Sequence, residues 1–585
     1  MNPFWAAIAC FVLYVAGYRY YAKHLSTHVY RLDPQRLTPA HTLRDEIDYV
    51  ATNRLILFGH HYASITGLAP MLGPAVAVIW GWVPATLWVV LGAVFVGCVH
   101  DFSALVVSMR AQGQSIGKVA ESVIGGRAKL LFLALIFFGI ALAMGVFVFI
   151  IAKLLQAGPD FDPHNLSKAA TSFPSAVLPS ATLMILAVIM GHLLYKRKAP
   201  LAPTTLAGFV LMLIAVWLGT RFPTLGVDPG RWPGQTCWTW ILLAYSFLAS
   251  VLPVWSLLQA RDFLNSLLLY LGLLTTYAGF FVLRPTFAAP ALRLHPEGAP
   301  SLFPFVFIVI ACGAASGFHA LVSSGTTAKQ INTETDARPI GYGGMIGESL
   351  LGLIAVLACT AGFESAGAWQ SAYRDWATIQ AELASKLGAF IHGSSRFIEA
   401  LGISRDLAAA FIAVVVVSFA LTTLDSATRL LRFNVSEMGA SLRIRVLANR
   451  FLATAIAVGA ICFFAFYRLE DVETGQLKPA GLALWTLFGT TNQLLAGLAL
   501  LVATLYLHQR GRNPWFTGLP TLFMLISTFT ALFENLATFI RKGQYLLLVV
   551  GSALLLVGVG IVIEGILVLR RRPRYTDDVI VFPVG

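Results

Sequence analysis

The chain has 585 residues, of which 57% are apolar and 12% charged, and its net charge is +13. A soluble domain has about a quarter of its residues as Asp, Glu, Lys or Arg, so this composition excludes a string of soluble domains and points to a surface facing lipid. The positive charge is scattered between apolar runs with no block of five or six like charges, which argues against nucleic acid and for membrane orientation.

A helix crossing a hydrocarbon core of about 30 Å needs roughly 20 apolar residues. On that criterion the expected fold is all-α and polytopic, with about fifteen spans. They lie near 3–22, 54–79, 82–108, 130–155, 178–195, 201–219, 237–258, 264–283, 302–327, 341–361, 405–425, 446–467, 480–507, 515–538 and 544–569. The first has no basic leader and no small-residue cleavage site, and reads as a retained span. With the N-terminus outside, the loops that should face the cytoplasm hold 27 of the 41 Lys and Arg, so the positive-inside rule predicts a periplasmic N-terminus and a cytoplasmic C-terminus. The six cysteines are far apart without a CxxC spacing, which indicates neither disulfides nor metal ligation.

Polar and helix-breaking residues inside spans mark candidate sites, because lipid penalises both. The second span, LFGHHYASITGLAPMLGPAV, holds His60, His61, Ser64, Gly67, Pro70 and Pro74. Two prolines and several glycines predict an unwound segment whose freed backbone groups face a cavity. The competing reading is a proline-kinked packing helix. The third span ends in VHDF, with His100 and Asp101.

In the seventh span Pro253 falls in mid-run, followed by Trp255 and Gln259, a candidate gate. Arg261 and Asp262 beyond it read as an interfacial pair. In the ninth span Ser316, His319, Ser323 and Thr327 recur at i, i+3, i+7 and i+11, with Ser324 beside them, which predicts one polar helical face. Hydroxyls and carbonyls suit Na⁺ and an imidazole suits a proton, while a stripe that merely ties helices together is the alternative.

Glu348 lies in the tenth span. The segment 363–403 carries some helical spacing and is expected to form an interfacial or re-entrant helix. The eleventh span ends with Asp425, which has Arg429 one turn on as a local partner. Asp101 and Glu348 have no obvious local partner and, with Asp425, are the proton-coupling candidates. At about 1.5 Å per residue, His60, Asp101 and His319 all fall in the same third of the membrane, where they could converge.

The blocks GHHYASITGLAPMLGP, VHDF, PVWSLLQARDFLN, CGAASGFHALVSSGTTAKQ, FALTTLDSATRLLRF and LWTLFGTTNQLLAGLALL resemble the carbon starvation protein CstA family, from the first span to about residue 508. The resemblance implies a bacterial inner-membrane transporter of pyruvate or small peptides. It also implies an inverted five-plus-five repeat core of the amino acid–polyamine–organocation type, with extra helices. Mapped on the spans, the core occupies 54–425, its first and sixth helices being the second and seventh spans. Residues 1–53 add a span and a loop, and 426–585 add four spans and a tail.

The expected function is therefore secondary transport of a small organic solute coupled to H⁺ or Na⁺, with the lipid bilayer as the other partner and no cofactor. There is no Walker motif to support ATP drive. The alternatives are a metal-dependent membrane enzyme built on the histidines, or a channel or starvation sensor. HExxH is absent, and adjacent helical histidines point about 100° apart.

Overall fold

The computed structural model describes residues 2–46, 48–159, 161–163, 166, 171–253, 257–381, 383–470, 477–570 and 579–580. The apolar runs fold as helices because a backbone group in lipid finds no water and must be satisfied within its own segment. Among the described residues ten helices are long and apolar enough to cross a membrane, and the bent pair Arg54–Ile65 and Ala69–Trp80 makes up to eleven. The other four expected spans are helical but shorter or broken: Pro3–Ala16 with the π-type turns after it, Gln235–Val251, the ninth span, and Arg450–Phe466. The protein is all-α and crosses the membrane many times.

The second span breaks as its sequence predicts. Arg54–Ile65 ends at Thr66, whose backbone is extended, and Ala69–Ala77 begins after Leu68, the two halves being bent by 47°. Pro70 sits in the first turn of the second half, where a missing N–H costs nothing. At Gly67 there is no room for a side chain, since a Cβ would lie 2.5 Å from Thr423 Oγ1 of the eleventh span.

The ninth span is also broken. It consists of Leu302–Val309, Ala311–Ala314 and Gly317–Gly325, with Ala315 and Ser316 extended between the last two. It runs antiparallel beside the second span: Gly317–Gly325 packs on Arg54–Ile65, and the two preceding pieces pack on Ala69–Ala77. A Cβ at Gly317 would lie 2.5 Å from the Asn492 carbonyl oxygen, so only glycine lets the thirteenth span approach this closely.

One expectation needs correction. Pro253 does not interrupt the seventh span. Gln235–Val251 ends before it and the eighth helix starts at Leu258, so the proline marks a connection. The facing broken pair is therefore the second and ninth spans. The eleventh span runs past its expected edge at 425 as one continuous helix from Arg405 to Ser441. Within the segment expected to form an interfacial or re-entrant helix, 383–399 is a helix packed among the eighth, tenth and eleventh spans and the second half of the second. A Cβ at its Gly393 would lie 2.2 Å from the Ala358 carbonyl oxygen.

Candidate functional site

Where the two broken spans face each other they leave a cavity of about 540 Å³, counting the open space at its mouth. Gly67 and Pro70 border it from the second span, Cys312 and Phe318 from the ninth, Thr423 from the eleventh and Asn492 from the thirteenth. Among the described residues no charged side chain lines it. The broken backbone is held by side chains from neighbouring helices. Asn492 Oδ1 accepts from the Phe318 amide at 3.0 Å, at the start of the helix Gly317–Gly325 of the ninth span, and Thr423 Oγ1 donates to the Thr66 carbonyl at 3.3 Å. Side chains of this kind take the place of the missing intrahelical partners.

Directly after Phe318 in the chain, His319 leads from the cavity into a histidine–carboxylate network with side chains buried from solvent. His319 Nδ1 donates to Asp101 Oδ2 at 2.8 Å, and His100 Nδ1 donates to Asp101 Oδ1 at 2.7 Å. The other ring nitrogen of His319, Nε2, stands 2.8 Å from Glu348 Oε2, at ion-pair distance but off hydrogen-bond alignment. Of the three residues expected to converge, Asp101 and His319 meet while His60 bonds Asp262 in a separate network; Glu348 and His100 complete the first cluster. A buried carboxylate is costly unless paired, and here two histidines supply the pairing for Asp101.

A second network lies across the first half of the second span, Arg54–Ile65. Adjacent histidines diverge, so His60 and His61 face different neighbours. His60 Nδ1 donates to Asp262 Oδ2 at 2.8 Å, and Ser64 Oγ donates to the same oxygen at 3.1 Å. Arg261 donates to Asp262 Oδ1 through Nη2 at 2.7 Å and Nε at 3.1 Å, donates to Tyr245 OH at 2.8 Å, and contacts Asp425. Tyr245 in turn donates to Asp425. His61 Nδ1 is 2.9 Å from Thr327 Oγ1.

Two readings change here. Arg261 and Asp262 are not an interfacial pair; both are fully buried, joining the seventh, eighth and eleventh spans. Asp425 pairs with Arg261 and not with Arg429, which instead donates to the Ala249 and Leu252 carbonyls at the end of the seventh helix. Those carbonyls have no intrahelical partner, so they capture the guanidinium.

The stripe on the ninth span is likewise not one helical face, because the helix begins after Ser316 and stops before Thr327. Ser316 meets Asn492 at 3.3 Å, His319 meets Asp101, and Thr327 meets His61. Ser324 turns away to accept from the Ile116 amide and donate to Ala320. Ser323 is fully buried, and its hydroxyl has no partner among the described residues. Gln259 donates to Gln330 at 2.6 Å, Pro253 lies in the connection already described, and Trp255 lies outside the described residues.

The end of the bundle that carries Arg36 and Arg110 is laced shut. Glu334 accepts from Arg110 Nε at 2.7 Å, Arg36 Nη1 at 3.0 Å and the Asp33 amide at 2.7 Å, and the Thr52 amide donates to the Gln330 carbonyl at 3.1 Å. Among the described residues, no group of three or more His, Cys, Asp or Glu side chains is arranged to hold a metal ion.

A family model described as carbon starvation protein CstA matches residues 2–371 and 372–531. The chain belongs to the carbon starvation protein CstA family. The peptide transporter CstA of Escherichia coli (strain K12) is 31% identical over 596 residues, covering 91% of this chain and 81% of that protein. The pyruvate/proton symporter BtsT of the same strain is 30% identical over 606 residues, covering 91% and 81%. The peptide transporter CstA of Campylobacter jejuni is 32% identical over 587 residues, covering 90% and 79%. Relatives matched over nine-tenths of the chain make this CstA-family member a membrane transport protein.

Sequence reasoning missed Asn492, Tyr245 and the burial of Arg261 as parts of the site. Asn492 and Gln493 follow Thr490 and Thr491 in the run TLFGTTNQLLAGLALL, and that polar cluster within a span was a signal of the kind lipid penalises.

Proposed function

We propose that this chain is a secondary active importer that couples inward proton flow to uptake of pyruvate or a small peptide across a bacterial plasma membrane. The observation that carries the reading is the Asp101–His319 pair beside the cavity. It puts titratable groups, sealed from water, within one helical turn of a residue that lines the substrate space. With both carboxylates ionised and one imidazole protonated, the four-residue network carries one net negative charge. One further proton neutralises it, and a neutral network tolerates being enclosed far better than a charged one. Proton uptake therefore favours closure of the loaded site.

The cavity has apolar walls, with hydroxyls and an amide at the two helix breaks. This suits a solute of a few heavy atoms whose polar end meets backbone and Asn492. Neither pyruvate nor a peptide is singled out by this lining. The positive-inside rule puts the end carrying Arg36 and Arg110 in the cytoplasm, which leaves the N-terminus periplasmic and the C-terminus cytoplasmic. The lacing around Glu334 and Gln330 then has to part for release.

The repeat core, in this proposal, pairs the second and ninth spans as the first helices of its two halves. The second half then extends to the thirteenth span, and the first half holds five of the second to eighth spans. The test is uptake of labelled pyruvate and of a labelled dipeptide into proteoliposomes under imposed pH or Na⁺ gradients. Accumulation of one solute under the pH gradient supports the proposal. Accumulation under the Na⁺ gradient alone overturns it.

A further inference from the structure

The second network contains a cation that cannot leave. Arg261 is fully buried, and the groups around it are almost all oxygens: the carboxylates of Asp262 and Asp425, the Tyr245 hydroxyl, and the Thr422 carbonyl at 3.5 Å. Ser64 Oγ joins this shell through Asp262. Two carboxylates, a hydroxyl and a backbone carbonyl on three helices form the kind of oxygen-donor set that suits a hard metal cation. Here a guanidinium fills it.

The position matters for transport. Ser64 precedes Ile65, which borders the cavity, and Thr422 precedes Thr423, which borders the cavity and donates to the Thr66 carbonyl at the break. Thr422 Oγ1 also reaches the Ala63 carbonyl, at 3.4 Å. Positive charge at this junction therefore braces the broken second span against the eleventh. An exchangeable ion bound there would couple that brace to its own gradient. A side chain cannot, because its concentration is the same on both sides of the membrane.

We propose that Arg261 is a tethered cation standing where an exchangeable one would otherwise bind, so that the protein works without Na⁺ and a monovalent cation enters the site once the guanidinium is removed. This rests on the transport reading, and it assigns the reading of the gradient to the Asp101–His319 network. Without Arg261, Asp262 and Asp425 are two buried carboxylates left with His60, Ser64 and Tyr245 as partners and no fixed cation. That arrangement is unfavourable until a cation or a proton is drawn in.

The experiment uses wild-type protein, Arg261→Ala and Arg261→Lys in proteoliposomes and in detergent. Expected for the wild type are full uptake in Na⁺-free medium and a Tm that does not respond to NaCl beyond a matched choline chloride control. Arg261→Ala is expected to lose uptake in Na⁺-free medium, to regain part of it with Na⁺ or guanidinium salts, and to gain a Tm rise with the same salts. Arg261→Lys, which keeps a tethered charge, is expected to retain Na⁺-independent uptake. The proposal is overturned if wild-type uptake requires Na⁺, or if Arg261→Ala transports normally without it. It is equally overturned if Arg261→Ala responds to none of these cations in either assay. If the wild type fails to accumulate pyruvate or dipeptide under any gradient, the transport reading fails while the Tm comparison still decides the fate of the tethered cation.

Discussion

Asp101 and His319, 218 residues apart in sequence, meet at 2.8 Å with no solvent at either side chain. The bond ties the third span to the last helix of the broken ninth span, Gly317–Gly325, so a change of proton occupancy at this pair is felt directly by a segment that borders the cavity.

Replacing either member should uncouple transport. Asp101→Asn keeps the shape and removes the charge, and His319→Gln keeps a donor and removes the titration. Each is expected to lower gradient-driven uptake by roughly 10²-fold, the scale for loss of a proton-transfer group. Membrane insertion, followed by the yield of folded protein in detergent, should be unchanged.

The two glycine contacts give separable effects. Gly317→Ala places a methyl 2.5 Å from the Asn492 carbonyl oxygen and 2.7 Å from the Ala496 amide nitrogen. Backbone cannot yield easily, so a loss of about 1–3 kcal/mol is expected, measured as a lower melting temperature. Gly67→Ala collides instead with the Thr423 side chain, whose Oγ1 would be 2.5 Å away. Its uptake defect should be partly relieved in the double variant Gly67→Ala/Thr423→Ala, which removes the colliding oxygen.

How much of this was legible beforehand follows from where each determinant resides. The spans were readable because hydrophobic length is a local property. The break in the second span was readable because Gly67, Pro70 and Pro74 announce it. The break in the ninth was not, since no proline lies between Val309 and Ser316; it is stabilised from outside by Asn492, some 170 residues later in the chain. Pro253 misled because proline ends a helix as readily as it kinks one. Asp425 misled because Arg429 was near in sequence, while the carbonyls ending the seventh helix held Arg429 elsewhere. Asp101, Glu348 and His319 were recoverable because each is costly in lipid whatever its partner.

The laced end offers a third check. Glu334→Gln keeps the size and removes the charge that gathers Arg36 and Arg110. Opening toward that side should become easier. With Ser323→Cys as a reporter, maleimide labelling should be faster in Glu334→Gln than in the parent.

On the opposite end, Asp375 Oδ1 accepts from the Thr378 amide at 2.7 Å. That bond, with the Arg374 guanidinium, holds the Asp375 carboxyl down at about 2, below its ordinary 3.8. A lowered folded value means that the stabilisation is present above the unfolded value and is lost as pH falls through the folded one. Asp375→Asn should therefore lower the melting temperature at neutral pH, and the gap from wild type should narrow between about pH 4 and pH 2.

The most direct measurement is of proton movement itself. Proteoliposomes containing a trapped pH dye and no imposed gradient are given pyruvate or a dipeptide from outside. The account predicts lumenal acidification that accompanies solute entry in the wild type and is absent in Asp101→Asn. Solute entry with no pH change in the wild type, or an equal pH change in Asp101→Asn, would contradict it.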